Sequence, residues 1–337
     1  MMNHTQVTNN QVVVTQKIAQ ADVDRLKDAG FEVVYHDSTR PWLEVELQTA
    51  VSPPNSPIAI ICLLTDKITA ELMDAAPNLK LIANVAVGYD NINVAAATKR
   101  GIVVTNTPDV LTETTADLAF GLLLAIARRI PEADSHMRAG KYKRFELFPE
   151  MLGVDVFGKT LGIVGMGRIG TAVAHRGALG FNMPILYTAN HAKEAAEQEL
   201  GARRVPFAQL LQESDFISIN APLTSQTRHL FTLREFQQMK QSACLINTAR
   251  GPLIKEADLA TALQQGLIRG AAIDVFENEP AMHPALHALH RQLIVAPHIG
   301  SASIETRHRM SALAVENVII GLQGNCPPNA LNPEAVD

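Results

Sequence analysis

The most informative segment of the sequence is LGIVGMGRIG, residues 161–170. Its first four residues are apolar, as in a buried strand, and its glycines have the spacing G-x-G-x-x-G. In such a turn the first glycine permits tight bending, the second admits a pyrophosphate close to the backbone, and the third lets a following helix pack closely. The segment Thr171 to Leu179 predicts that helix. A turn without ligand is the alternative, but the flanking pattern favours a dinucleotide site formed by Gly165, Met166, Gly167, Arg168, Ile169 and Gly170.

Apolar runs typical of further strands follow this segment, with helical patterns in most of the gaps. They cover residues 185–188, 216–220, 243–247, 270–274 and 293–296. A similar series precedes it, with a helix predicted over residues 21–29 before Gly30 and with apolar runs at residues 12–14, 31–35, 58–64, 79–85 and 101–104. This alternation predicts an α/β protein whose parallel sheets carry helices on both faces.

The length of 337 residues and the two series of strands predict two domains. Thr114 to Ile130 is apolar nearly all round, which predicts a buried helix, capped by Thr114, that crosses between the domains and can form a dimer contact. Residues 131–157 are rich in Pro, Gly and polar residues and predict a loop-rich connection. A C-terminal helix, Ser303 to Gly321, is expected to return to the first domain.

We therefore predict two Rossmann-like or flavodoxin-like domains, one inserted in the other. The dinucleotide-binding Rossmann domain would comprise residues 108–307. The substrate (catalytic) domain would be discontinuous and comprise residues 1–107 and 308–337.

Composition limits the classes of partner. The formal net charge of −5 provides no basic excess for a nucleic-acid backbone. Residues 1–10 lack the features of a signal peptide, and the apolar stretch from Ala116 to Ala127 is shorter than the roughly 20 residues that a membrane helix needs. The three cysteines fit neither a zinc nor a disulfide pattern, so we expect a soluble cytoplasmic protein without nucleic-acid or membrane partners.

One histidine cluster is a weak metal candidate. His283, His287 and His290 have the spacing i, i+4, i+7, which on a helix could bind zinc. Pro284 makes a long helix doubtful there, and a partly solvated segment is favoured. No metal is therefore expected.

The residues after the second strand of the Rossmann series bear on the cofactor. An NAD site usually has Asp or Glu about 20 residues past the glycine motif, where it binds the ribose 2′-hydroxyl. Residues 188–193 have the sequence TANHAK, without an acid. A carboxylate would repel a 2′-phosphate and these residues would not, which favours NADP(H), or dual use of NADP(H) and NAD(H). The alternative is that Asn190 hydrogen-bonds the hydroxyls of NAD.

Three polar features lie at or just after the ends of predicted strands, the edge where α/β sheets bind ligands. Arg250 could hold a substrate carboxylate through its planar guanidinium, although a surface ion pair is the common alternative. Residues 274–279 contain three carboxylates, one of which could pair with a histidine and stabilise its protonated form. His298 has the chemistry of a proton donor near neutral pH. Their conjunction predicts the reduction of a keto acid.

Separated motifs in this order resemble the D-isomer-specific 2-hydroxyacid dehydrogenase family, and within it the glyoxylate/hydroxypyruvate reductases. The matching segments, besides the three features above, are NVAVGYDNI at 84–92, TNTPDVLTETTAD at 105–117 and GKTLGIVGMGRIG at 158–170. The resemblance extends from about residue 80 to 320. Two departures are notable, since many relatives have His at the position of Asn220 and NADP-using members usually have Arg near Asn190.

The resemblance implies a role for each matching residue. Arg250 would hold the substrate carboxylate and polarise the carbonyl, His298 would donate the proton, and Glu279 would pair with His298. The backbone of Val87 and Gly88 would bind the carboxylate from the other domain. Further cofactor contacts are expected from Asp274 at the nicotinamide amide and from Thr115, Ala189, Asn190, His191, Asn220, Ala221, Pro222, Thr248, Ala249, His298 and Gly300. In relatives the helix after Thr114 lies in a dimer interface, so a homodimer is expected.

The sequence thus predicts NAD(P)H-dependent reduction of a small 2-keto acid, of the glyoxylate or hydroxypyruvate type, to the D-2-hydroxy acid. One alternative within the family is a larger substrate such as 2-ketogluconate or phenylpyruvate. A formate-dehydrogenase-like activity is disfavoured because those relatives have Gln at the position of Glu279. An alternative from another class is a dinucleotide-sensing corepressor, but such relatives carry long extensions that this sequence lacks.

Overall fold

The computed structural model describes residues 10–335. The N-terminal segment in which no signal peptide is predicted therefore lies, except for Asn10, outside the described residues. Contacts divide the chain into unit 1, Met1–Leu111 with Ser303–Asp337, and unit 2, Thr112–Ala302. The boundaries expected from the sequence follow residues 107 and 307, and the roles expected for the two parts remain predictions.

Unit 1 is a five-stranded parallel sheet with helices, of the flavodoxin-like type. Its strands are β1 (Gln11–Val14), β2 (Glu32–Tyr35), β3 (Ala59–Cys62), β4 (Leu81–Asn84) and β5 (Val103–Thr105). Its helices are α1 (Gln20–Asp28), α2 (Glu44–Val51), α3 (Ala70–Asp74), α4 (Val94–Thr98) and α12 (Ile304–Leu322). The strand order is β2-β1-β3-β4-β5.

The centre of this sheet is buried on both faces, which explains the continuous apolar runs in the sequence. The side chains of β3 and of Val12 to Val14 have no exposed surface. Helix α12 joins the unit through Ser311, whose hydroxyl donates to the Asp22 carboxylate of α1 at 2.6 Å. The C-terminal helix therefore belongs to the unit that contains β1.

Unit 2 is a seven-stranded parallel sheet in Rossmann order, β12-β11-β10-β9-β6-β7-β8. Its strands are β6 (Leu161–Val164), β7 (Ile185–Thr188), β8 (Arg203–Arg204), β9 (Phe216–Ile219), β10 (Cys244–Asn247), β11 (Gly270–Ile273) and β12 (Leu293–Val295). Its helices are α5 (Thr112–Arg128), α6 (Ile130–Arg138), α7 (Arg168–His175), α8 (Glu194–Leu200), α9 (Phe207–Glu213), α10 (Leu233–Phe236) and α11 (Glu256–Gln264). The strand order reverses at β6, between β7 and β9, and thereby confirms the predicted fold.

A hydrophobic core lies on each face of the unit 2 sheet, as the twofold alternation of strand side chains requires. Cys244 and Ile246 pack into the core on the side of α5 and α7. Leu245, between them, packs into the core on the side of α11. Both faces of the sheet are thus covered, so a ligand can reach the sheet only at the edge where the strands end.

Three local predictions in unit 2 are wrong. Helix α5 begins at Thr112, so Thr114 lies inside its first turn and does not cap it. The predicted loop over 131–157 contains α6, in which Pro131 occupies the first turn, where a missing N–H has no cost. Helix α7 begins at Arg168, three residues early, and continues into a π-helical turn, Arg176–Gly180.

Two further findings concern the length of the helices and the grouping of metal-ligating side chains. Within residues 10–335 every helix is too short or too polar to cross a bilayer. Over the same residues no group of three or more His, Cys, Asp or Glu side chains could hold a metal ion. His283 instead caps a short 3-10 turn, Pro284–Leu286, where its Nδ1 accepts from the Ala285 N–H at 3.3 Å.

Candidate active site

A single carboxylate, Asp274, shapes the turn that carries His298. Three successive N–H groups donate to this residue: His298 N to its carbonyl oxygen at 2.8 Å, Ile299 N to Oδ1 at 2.8 Å and Gly300 N to Oδ2 at 2.7 Å. His298 consequently adopts a left-handed conformation with φ of 54°, which is uncommon for a residue other than glycine. The turn is therefore held from the β11 side, and the imidazole projects from it.

The interior side of this turn brings together several predicted cofactor residues. Asp274 is fully buried, and burial raises its pKa more than the Ile299 and Gly300 N–H groups and the charge of His298 lower it. A Cβ on Gly300 would stand 3.3 Å from Oδ2 of Asp274 and 3.4 Å from Cγ2 of Thr115. Thr115, Asp274 and Gly300 are thus neighbours, while the expected contact of Asp274 with a nicotinamide amide stays a prediction.

His298 forms an ion pair with Glu279. Its Nδ1 lies 2.8 Å from Oε2 of Glu279, and the other carboxylate oxygen accepts from the Phe276 N–H at 3.0 Å. Burial raises the pKa of Glu279, but the hydrogen bond and charge of His298, the Phe276 N–H and the charge of Arg250 together leave that pKa below its ordinary value. Because Nδ1 is engaged, Nε2 is the imidazole atom available to a reactant.

Arg250 approaches this pair from the neighbouring strand. Asn247, the last residue of β10, accepts from the Ala249 N–H at 3.0 Å and donates to the Arg250 carbonyl at 2.9 Å. Gly251 then packs against the backbone of Phe276, where a Cβ would overlap. The loops after β10, β11 and β12 thus bring Arg250, Glu279 and His298 to one edge of the sheet, close enough for the Arg250 charge to act on Glu279.

The glycines of the turn after β6 differ in what requires them. The fold itself requires Gly165 and Gly170, whereas only a bound ligand would require Gly167. Gly165 has φ of 94°, and a Cβ there would lie 2.7 Å from the Ala221 nitrogen. A Cβ on Gly170 would overlap the Gly165 carbonyl oxygen. At Gly167, the N-cap of α7, a Cβ would meet no atom within 4 Å. Open space over this backbone fits a pyrophosphate at the helix N-terminus.

Unpartnered polar atoms lie at the same edge. Among the described residues, Oδ1 of Asn220 and Oγ1 of Thr248 are buried without a hydrogen-bond partner. They follow β9, which neighbours β6 in the sheet, and β10, which neighbours β9. Buried polar atoms without a partner are costly in a folded protein and mark sites where a ligand can supply one. Together with the open glycine, they fit a bound dinucleotide.

The remaining predicted cofactor residues lie in loops at this edge or at the start of α7. Ala249 follows Thr248, and Pro222 accepts from the Thr227 hydroxyl at 2.7 Å through its carbonyl. The side chain of Met166 is buried in the core, which leaves only its backbone for a ligand. Ile169 packs against the same core, and Arg168 is exposed at the start of α7.

The loop after β7, which holds Ala189, Asn190 and His191, has a contact that the sequence did not predict. Arg204 of β8 donates to the Ala189 carbonyl at 3.1 Å and to the Asn190 carbonyl at 2.9 Å. Strand β8 has only two residues, both arginine, so no apolar run marked it. A guanidinium therefore adjoins a loop in which sequence reasoning found no arginine.

In unit 1, the loop with Val87 and Gly88 follows β4, and three of its carbonyl groups are bonded to the fold. The Ala86 carbonyl accepts from the Thr107 N–H at 2.9 Å. The Val87 carbonyl accepts from the Asn106 side chain, and the Gly88 carbonyl from the Asn84 side chain, each at 2.8 Å. In the described part of the chain, the N–H groups of Val87 and Gly88 donate no hydrogen bond.

Comparisons with known proteins identify the family of the chain. A sequence model of the D-isomer specific 2-hydroxyacid dehydrogenase NAD binding domain matches residues 120–300. A glyoxylate reductase of Korarchaeum cryptofilum is 47% identical over 327 residues, 97% of each chain. A glyoxylate reductase of Thermococcus litoralis is 51% identical over 281 residues, 82% of this chain and 84% of that protein.

A solved structure extends the likeness to both units. The NADPH-dependent glyoxylate/hydroxypyruvate reductase of Sinorhizobium meliloti, in complex with NADP and malonate, has a TM-score of 0.85 and 34% sequence identity. The alignment covers 97% of this chain and 98% of that one. The protein is thus an NAD(P)-dependent oxidoreductase, and the chain belongs to the D-isomer specific 2-hydroxyacid dehydrogenase family.

Proposed function

We propose that the protein reduces glyoxylate or hydroxypyruvate to the corresponding D-2-hydroxy acid. The observation that carries the proposal is the convergence of Arg250, Glu279 and His298 after β10, β11 and β12 of a Rossmann unit. The names of the relatives, glyoxylate reductases and a glyoxylate/hydroxypyruvate reductase, support the choice of substrate. A cationic fork beside a protonated imidazole is the equipment that a 2-keto acid requires.

Arg250 and His298 act on the substrate, and Glu279 acts through His298. The guanidinium of Arg250 binds the carboxylate and polarises the adjacent carbonyl. The reduced nicotinamide, when bound, supplies a hydride to C2. Nε2 of His298 then donates its proton to the C2 oxygen, and Glu279 stabilises the protonated imidazole through Nδ1 until that transfer.

Backbone groups in unit 1 would provide a second binding element. The N–H groups of Val87 and Gly88 donate no hydrogen bond within the described residues, so they are available to an anion. We propose that these two N–H groups bind the substrate carboxylate. They would add hydrogen bonds to a charged group, which are stronger than neutral ones.

For the cofactor we propose NADP(H), or dual use of NADP(H) and NAD(H). Gly167 and the N-terminus of α7 would hold the pyrophosphate. The unpartnered oxygens of Asn220 and Thr248 would form hydrogen bonds with the bound dinucleotide. Support for NADP(H) comes from the lack of an acid at residues 188–193. It also comes from the S. meliloti relative, which is NADPH-dependent.

We propose further that the protein is a cytoplasmic homodimer. Exposed residues of α5 form one stripe that includes Glu113, Asp117 and Gly121. Phe145 and Phe148, between α6 and β6, are 81% and 79% exposed. Large apolar side chains at such exposure are typical of an interface. Light scattering on the purified protein should give twice the 36.5 kDa chain mass; a monomer would refute this part of the proposal.

The substrate assignment is tested with a panel of 2-keto acids and both coenzymes. NAD(P)H oxidation should be fastest, in kcat/KM, with glyoxylate or hydroxypyruvate, and slower with 2-ketogluconate and phenylpyruvate. Fastest turnover of a larger acid would refute the substrate but keep the reaction. No turnover of any acid would refute the proposal and favour a dinucleotide-sensing role.

The proton donor is tested separately. His298→Asn should lower kcat by about 10²- to 10⁴-fold, while coenzyme binding persists. The matched control is His283→Asn, a change in an exposed turn, which should leave kcat unaffected. Equal rates for the His298 variant and the wild type would remove His298 from the mechanism.

A further inference from the structure

The two arginines of β8 point to different surroundings. Consecutive residues of a strand direct their side chains to opposite faces. Arg203 forms an ion pair with Glu213 of α9 at 2.9 Å. Arg204 instead donates from Nε and Nη2 to the carbonyls of Ala189 and Asn190. Only Arg204 is therefore attached to the loop that follows β7.

The loop after β7 lies where a Rossmann unit binds the ribose of a dinucleotide, because β7 is next to the strand that precedes the glycine turn. Strand β8 pairs with β7, with Arg204 opposite Tyr187, and β7 pairs with β6, which precedes the glycine turn. In Rossmann units the group that selects NAD or NADP follows the strand next to the glycine turn. The Arg204 guanidinium lies at that point, although it is distant from the loop in sequence.

The charge around Arg204 suits an anion. Over residues 10–335, no carboxylate lies within ion-pair distance of Arg204, and its Nη1 has no hydrogen-bond acceptor. The acids that follow in α8 begin at Glu194, and the Glu197 carboxylate is engaged by the Tyr187 hydroxyl at 2.6 Å. Lys193 adds a second positive charge to the exposed loop.

We propose that Arg204 binds the 2′-phosphate of NADP(H) and thereby determines the coenzyme preference, an inference that rests on the proposed function. A guanidinium has a permanent charge and donors that match phosphate oxygens. NAD(H) has a neutral 2′-hydroxyl in place of the phosphate, so it gains little from this group. The two bonds to loop carbonyls hold the guanidinium plane before the ligand arrives, which reduces the entropy lost on binding.

A purely structural role for Arg204 makes a different prediction. If the side chain only fixes the Ala189–Asn190 backbone, its loss should weaken NADPH and NADH to the same degree. If it binds the phosphate, only NADPH should be affected. The ratio of the two dissociation constants therefore distinguishes the two roles without a measurement of catalysis.

The experiment measures coenzyme binding to the full-length protein by nicotinamide fluorescence. Arg204→Gln should raise the Kd of NADPH about 10- to 100-fold, the value of a hydrogen bond to a charged group, and change the Kd of NADH less than threefold. Arg204→Lys, which keeps the charge but not the fork, should give an intermediate Kd for NADPH. Arg203→Gln is the matched control and should change neither Kd, because its partner is Glu213.

A second probe isolates the phosphate. Displacement of NADPH by 2′,5′-ADP should weaken in Arg204→Gln, whereas displacement by 5′-AMP should not change. Equal losses for both coenzymes, or no loss for either, would overturn the assignment of Arg204 and leave the proposed reaction intact. A wild-type protein that binds neither coenzyme would overturn the proposed function itself.

Discussion

The loop with Val87 and Gly88 in unit 1 and the turn with His298 in unit 2 both follow the end of a parallel strand, and both are held by side chains that lie at strand ends. In the loop, Asn84 donates its amide to the Gly88 carbonyl. In the turn, Asp274 accepts N–H groups through both carboxylate oxygens. The supporting side chain is thus a hydrogen-bond donor in the loop and an acceptor in the turn.

This reversal decides which groups each segment can offer to a ligand. In the loop, Asn84 and Asn106 bind carbonyl groups. The N–H groups of Val87 and Gly88, which donate no hydrogen bond within the described residues, remain for an anion. Binding the N–H groups of the turn removes them, and what remains available is the side chain of His298. A neutral amide, which has donors, suits the first purpose, and a carboxylate, which has two acceptor oxygens, suits the second. Variants that exchange or remove these supports therefore test the difference between the loop and the turn.

Removing the support of the turn should have the largest effect. Asp274→Ala deprives the Ile299 and Gly300 N–H groups of their acceptors, and that of Gly300 is buried. We expect the free energy of unfolding to fall by about 2–4 kcal/mol. We expect kcat/KM to fall by at least about 100-fold, because His298 loses its position. Denaturant titrations and steady-state kinetics measure both.

The control for this prediction keeps the size of the side chain. Asp274→Asn retains one acceptor oxygen and should lose less stability than the alanine variant. A catalytic rate in Asp274→Ala close to that of the wild type would show that the turn positions His298 without this carboxylate.

Reversing the polarity of the loop support should come next. Asn84→Asp places acceptor oxygens against the Gly88 carbonyl in a fully buried position. The variant should lose about 2 kcal/mol of stability through an unsatisfied buried group. Its KM for the keto acid should rise about 10-fold, with a smaller change in kcat, since the loop contributes binding and not proton transfer.

Asn84→Ala separates the two causes. It removes the donor without adding a repulsive oxygen, so its KM should lie between those of the wild type and Asn84→Asp. An unchanged KM in the aspartate variant would contradict a role of the loop in substrate binding.

Asn106 supports the same loop through one bond, and its loss should have a smaller effect. Asn106→Ala removes the donor to the Val87 carbonyl but keeps the backbone bonds of residue 106. KM should rise a few-fold, the value of one hydrogen bond at about 1 kcal/mol. Asn317→Ala, which removes a donor to the Asn106 carbonyl, is the control and should affect stability more than KM. A larger rise in KM for Asn317→Ala than for Asn106→Ala would contradict the role of Asn106 in supporting the substrate-binding loop.

These supports also show what the sequence can and cannot predict. The strands of both units were predictable because buried parallel strands are continuous apolar runs, such as Val12–Val14 and Leu161–Val164. The candidate residues Arg250, Glu279 and His298 were predictable because each follows such a run. The roles of Asn84 and Asn106 were not, since a polar side chain near a strand end gives no sign of which backbone group it meets.

Errors in the prediction have the same physical origin. Strand β8 has two arginines and no apolar residue, so neither it nor the approach of Arg204 to Ala189 could be inferred from local pattern. Pro131 contributes to the predicted loop, although proline is equally compatible with the first turn of α6. Spatial neighbours of a loop depend on strand order, which local sequence does not encode.

The smallest expected effect concerns pH, and it tests whether charge distinguishes the turn from the loop. The folded-state pKa of Glu279 lies below its ordinary value, because the interactions with His298, Phe276 and Arg250 outweigh burial. This carboxylate therefore stabilises the fold fully above its unfolded pKa, about 4.3. The contribution is lost as the pH falls from there through the lower folded value.

Glu279→Gln should remove that part of the acid dependence. The difference in unfolding free energy between the wild type and this variant should shrink steadily as urea titrations are taken from pH 6 to pH 3. Asn84→Ala is the matched control in the loop: since an amide does not titrate, its difference from the wild type should stay constant over the same range. A constant difference for Glu279→Gln as well would mean that the His298–Glu279 pair adds no net stability, and that Asp274, whose raised pKa gives the opposite slope, holds the turn alone.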